Sequence, residues 1–125
     1  YYDSAPGCQD YPYPAMSWLY PDRGDFIAVV GRMQDINAVR QVKAALLSSR
    51  DLSVYSMNAP GFIPGVDFSD HLNYWQHDIP AVMITDTAFY RNKQYHLPGD
   101  IADRLNYQKM AQVVDGVTTL LYNSK

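Results

Sequence analysis

Cysteine is nearly missing from this sequence. Cys8 stands alone, which excludes an internal disulfide and a zinc knot built on paired cysteines. Long apolar runs are missing too: none approaches the ~20 residues that cross a bilayer as a helix, so no membrane span is expected. Positive charge is sparse, with ten Lys and Arg scattered singly against thirteen acidic residues. That leaves no basic footprint for nucleic acid or an anionic membrane. There is no charged-then-apolar leader, no repeat and no low-complexity tract. A mature or truncated exported protein, secreted or periplasmic, also lacks a leader, so the compartment stays open.

What is present suits one globular domain. The chain is 125 residues long, 47% hydrophobic and 14% aromatic, enough to bury a real core. Residues 1–24 read as one irregular linking loop, punctuated by Pro6, Gly7, Pro12, Pro14 and Pro21. Such loops usually cover a site or a neighbouring element. Opening on "YYDSAPG", without Met and without a helix or strand, reads either as trimming or as a start in the middle of a larger fold.

Residues 25–125 read as an α/β part. "DFIAVVGR" is a short apolar, β-branched run bounded by glycines, the pattern of a buried strand. "QDINAVRQVKAALLSSR" repeats Ile36, Val39, Val42 and Leu46 at helical spacing, with Asp35 as its cap. Leu52, Val54 and Ser56 alternate along a second strand. Asp67 or Ser69 caps a short helix that carries Leu72 and Trp75 inward and closes at Pro80. "AVMITD" is a third strand, and a last helix from about Asn106 aligns Met110, Val113, Val117 and Leu120. Strands alternating with helices predict a layered, largely parallel sheet. Three strands are thin for so many apolar helices, which points to further strands in a longer parent or from another chain. An open sheet edge also predicts possible self-association.

The chemistry-bearing stretches follow the second and third strands. Ligands bind beyond the carboxyl ends of strands in open α/β sheets. That topology places Asp70, Asp86, Arg91, Tyr95 and His96 around one crevice. His96, in "YHLPGD", reads as a metal ligand, a general base or a plain surface turn. His71 and His77 lie six apart, about 240° around a helix, so they do not form a ligand pair. Nothing in the spacing of Asp67, Asp70, Asp86 and Asp100 selects a ligand set. Ser69 lacks a Gly-x-Ser-x-Gly elbow and reads as a cap, and Cys8 has no adjacent base.

One ordered set of short motifs carries a resemblance: Ser-Asp-His opening a short helix, an apolar strand after Ile-Pro, Asp-Thr-Ala, Arg-Asn, Tyr-His, and Asp-x-x-x-x-Leu-Asn-Tyr entering the last helix. In this order the chain resembles the C-terminal part of the zinc aminopeptidases of peptidase family M twenty-eight. Relatives of that family include leucyl aminopeptidases, glutamate carboxypeptidase and glutaminyl cyclase. The resemblance covers essentially the whole chain. It implies a three-layer α/β/α sandwich with a mostly parallel sheet, here truncated at its N-terminal side.

It also implies roles for individual residues. His96 would be a zinc ligand, and the Tyr95 hydroxyl would help bind the tetrahedral intermediate. Arg91 and Asn92 would contact a peptide substrate, the guanidinium holding a carboxylate bidentately. Asp70 would support the metal site from behind the ligands, His71 would make a structural hydrogen bond, and Asp100 would organise the turn after His96. The family's His-x-Asp, its Glu-Glu pair and a further acidic ligand are absent. The chain alone is therefore expected neither to hold zinc stably nor to catalyse. Non-catalytic interaction domains of the same fold and cyclase-type acyl transferases remain the alternatives.

Overall fold

In a computed structural model, which describes residues 1–124, the chain combines a three-stranded mixed sheet with three α-helices. Strand β1 (Ile27–Gly31) is central, flanked by β2 (Val54–Asn58) and β3 (Val82–Thr85). Helix α1 (Ile36–Leu47) connects β1 to β2. The short α2 (His71–Gln76) lies between β2 and β3, and α3 (Tyr107–Asn123) ends the chain.

The period-two pattern of β1 assigns the two faces. Ile27 and Val29 point to one side, where they join Val39, Val42 and Leu46 of α1, Leu52 and Val54, with Val113, Val117 and Leu120 of α3 packed against them. Ala28 and Val30 point to the other side, onto Ala59, Val66 and Trp75, with Ile63, Leu72 and Met83 alongside. Helices α1 and α3 are pressed together at Gly116, where an added Cβ would stand 2.8 Å from the Leu46 Cα.

The expectation of a mostly parallel sheet needs correction. β1 pairs parallel with β2, but β3 runs antiparallel, Val82 opposite Gly31 and Thr85 opposite Ala28. The cause is the path between β2 and β3. The chain leaves β2 at Asn58, beside Gly31, and re-enters at Val82, also beside Gly31. A parallel crossover needs an element that carries the chain back along the whole strand. Here residues 59–69 run back along the sheet, but α2 and the segment after it return, so the chain re-enters at the end it left.

Two helix starts also differ from expectation. Asp35 sits at the N-cap of α1 but makes no capping bond. Its buried carboxylate accepts from Arg32 instead, Nε to Oδ2 at 2.7 Å and Nη2 to Oδ1 at 3.2 Å. At α2 the N-cap position is Asp70 rather than Asp67 or Ser69, again without a side-chain cap. The start of α3 follows the expected rule: Asn106 Oδ1 accepts from the Lys109 backbone N–H at 3.0 Å.

Residues 1–24 are irregular apart from a 3-10 turn at Pro14–Trp18. They are tied down by a bridge between Asp3 and Gly24 and by the Asp10 N–H donating to the Tyr90 carbonyl at 2.8 Å. This loop therefore lies against the segment that follows β3.

Candidate functional site

The segment after β3 is built from tight turns. Thr85 Oγ1 accepts from Thr87 N and Asp86 Oδ1 from Ala88 N, each at 2.9 Å. Asp86 Oδ2 lies 2.6 Å from the backbone nitrogen of Tyr1. Thr87, Ala88 and His96 all take left-handed backbone conformations, with φ of 72°, 48° and 59°. Side chains other than glycine pay steric strain there, of order 1–3 kcal/mol each, and hold it only where neighbouring structure enforces it.

The enforcing structure is a pair of buried side chains, Arg91 and Asn92. Arg91 is 2% exposed. Its Nε donates to Gln9 Oε1 at 2.9 Å, and its Nη1 donates to the carbonyls of Phe26 at 2.9 Å and Tyr1 at 3.1 Å. The guanidinium lies 4.6 Å from the centre of the Phe26 ring. Burial pushes its pKa below the ordinary arginine value, against the opposing pull of Asp86. Asn92 donates to Asp100 Oδ1 at 2.8 Å and accepts from the Gln94 N–H and from Arg104. Both residues were expected as substrate contacts. Their geometry makes them anchors of the loop, since only Arg91 Nη2 lacks a partner and it too is buried. Asp100 takes its expected place in the turn.

Tyr95 and His96 sit on the outside of this anchored loop. Both are exposed, their rings stacked with centroids 4.0 Å apart and 14° between planes. The His96 ring makes no hydrogen bond among the described residues, so both nitrogens are open to a ligand. Asp70 is exposed at the start of α2, its carboxylate without a hydrogen bond among the described residues. His71 is buried, Nε2 at 2.6 Å from the Val66 carbonyl oxygen and its ring edge-on to Trp75, the structural role expected of it.

A cleft of about 310 Å³ opens on the α2 face of the sheet. Its floor is Ala28, Val30, Met57 and Met83. Its walls are Tyr11 and Tyr20 from the N-terminal loop, Phe68 and Ser69 from the segment before α2, and Asp86, Phe89, Tyr90 and Tyr95 from the loop after β3. Burial pushes the Tyr11 hydroxyl up to about 12, and Tyr20 and Tyr90 upward as well. These phenols stay neutral at neutral pH, and the carboxylates that line the cleft are those of Asp10 and Asp86.

The expected crevice is thus met in part, and by another route. Because β3 is antiparallel, its carboxyl end lies at the opposite end of the sheet from that of β2. Phe68 and Ser69 still reach the loop after β3, because residues 59–69 double back across the sheet face. Phe68 and Phe89 stand with ring centres 6.2 Å apart. Of the five residues placed around that crevice, Asp86 and Tyr95 line the cleft; Asp70, Arg91 and His96 do not.

Sequence reasoning missed Gln9, which is 5% exposed and holds both Arg91 and Thr87. A lone Gln in a proline-rich loop carries no signal of that kind. The absence of the Glu-Glu pair extends to the whole chain: all thirteen acidic residues are aspartates, so it carries no glutamate to serve as a base or ligand. Among the described residues no group of three or more His, Cys, Asp or Glu is arranged to hold a metal ion. His96 fits zinc as a single donor, and one imidazole does not retain the ion.

No protein-family model matches the chain, and no solved structure matches it. The uncharacterized protein YfbL of Escherichia coli is 93% identical over 125 residues, which are all of this chain and 39% of that protein. The chain therefore spans well under half the length of the curated relative that it resembles in sequence.

Proposed function

We propose that this chain is part of a zinc-dependent aminopeptidase-type hydrolase, supplying one metal ligand and much of the substrate pocket. The observation that carries the reading is the pairing of an unbonded, exposed His96 with an aromatic cleft at whose rim Tyr95 stands. In such an enzyme zinc polarises the scissile carbonyl and activates water.

The chain's own residues have narrower tasks. His96 would hold the metal through one ring nitrogen, from a backbone that Arg91 and Asn92 keep in place. Tyr95, stacked on that imidazole, lines the cleft and brings a phenol to it. The cleft excludes water around an apolar side chain, with Tyr11, Tyr20, Phe89 and Tyr90 around it. The remaining ligands and the general base belong to the rest of a longer polypeptide, for which the length of YfbL leaves room.

The test uses two proteins: the 125-residue chain, and YfbL carrying these 125 residues in place of its own matching stretch. With zinc and aminoacyl p-nitroanilides, the short chain is expected to show no turnover. The grafted protein is expected to cleave substrates with large apolar N-terminal residues. Normal turnover by the short chain, or a zinc-loaded graft that cleaves nothing, contradicts the reading; the latter favours a non-catalytic domain.

A further inference from the structure

We infer that the open edge of β3 and the exposed apolar stripe of α3 beside it form a docking surface for a β-strand contributed by the rest of a longer polypeptide of the YfbL type. This inference does not depend on the peptidase reading.

Tyr107, Met110, Val114 and Leu121 are 59%, 45%, 62% and 65% exposed. Their spacing of three, four and seven places them on one line along α3. The neighbouring line, Val113, Val117 and Leu120, packs onto the core. The apolar surface of α3 is therefore about twice as wide as what the sheet and α1 cover. Loose packing of the helix is not the reason, because Gly116 brings it against the backbone of α1.

Beside that stripe runs a groove of about 320 Å³, lined by Ile84, Thr85, Met110, Val113 and Val114 among others. The backbone of Val82–Thr85 bonds only to β1 among the described residues, which leaves its outer N–H and C=O groups open. Unpaired backbone on one side and apolar side chains on the other suit an extended strand: the ladder takes its backbone, and α3 covers its apolar face.

The length of YfbL points to the supplier: 61% of it lies outside the stretch that matches this chain (100% less 39%), ample for further strands. A second copy is the weaker occupant, since a β3-to-β3 pairing offers only four residues on each side.

Hydrogen exchange compares the same backbone in the 125-residue chain and in the YfbL graft. The amides of Val82–Thr85 not bonded to β1 are expected to exchange at least about tenfold more slowly in the graft. Val114→Asp provides an independent readout. It is expected to lower the Tm of the graft by more than about 5 °C, and that of the short chain, where Val114 is exposed, by less than about 2 °C. Equal exchange in the two proteins, or equal Tm shifts, overturns the inference. Protection that appears in the short chain only as it dimerises also overturns it, in favour of a second copy.

Discussion

Arg91 joins three stretches of chain that sequence separation keeps far apart: Gln9 and the Tyr1 carbonyl of the N-terminal loop, the Phe26 carbonyl at the start of β1, and its own loop after β3. Replacing it with Met keeps most of the volume but strips the donors from a buried glutamine and two carbonyls. Unsatisfied buried groups cost about 1–3 kcal/mol each when no water reaches them. Arg91→Met is therefore expected to lower unfolding free energy by about 2–4 kcal/mol, read by urea denaturation. An unchanged midpoint would show that the guanidinium is not an anchor. Its inward turn was not legible in the sequence, where an arginine in a polar loop reads as exposed; what turns it is Gln9, 82 residues away. The exposure of His96 was legible, because a Pro/Gly turn offers an imidazole no apolar wall to pack against.

Helices α1 and α3 were legible for a different reason. Each spans at least three turns, so the 3.6-residue period has length enough to declare itself. The direction of β3 was not, since three apolar residues and a threonine look the same whichever way they run. Only the out-and-back path of residues 59–81 decides it. The α1–α3 contact makes a prediction at this scale. A methyl group at Gly116 meets the Leu46 Cα at 2.8 Å, and backbone on the facing helix cannot move aside cheaply. Gly116→Ala gains helix propensity of about 1 kcal/mol. The overlap is expected to outweigh it, giving a net loss of about 1–2 kcal/mol in thermal or chemical unfolding. A net gain would mean that α3 sits further from α1 than it stands here.

At the scale of the molecule, both faces of the sheet are covered while β2 and β3 remain edge strands. The cleft, the loop that carries His96 and the open β3 edge all lie where the loop after β3 meets the N-terminal segment. On the function proposed above, the first two would be parts of one catalytic centre completed by other polypeptide. That reading rests on the order of short motifs, and the further ligands and base that it calls for are not among this chain's residues.

The most direct measurement of that claim is the zinc content and zinc affinity of the YfbL graft with and without His96→Ala. The account predicts bound zinc in the parent protein and a loss of affinity of more than about 100-fold in the variant, with the melting temperature of the short chain unaffected by the same change. Zinc retained at full affinity after the imidazole is gone, or a parent that takes up none, would contradict it.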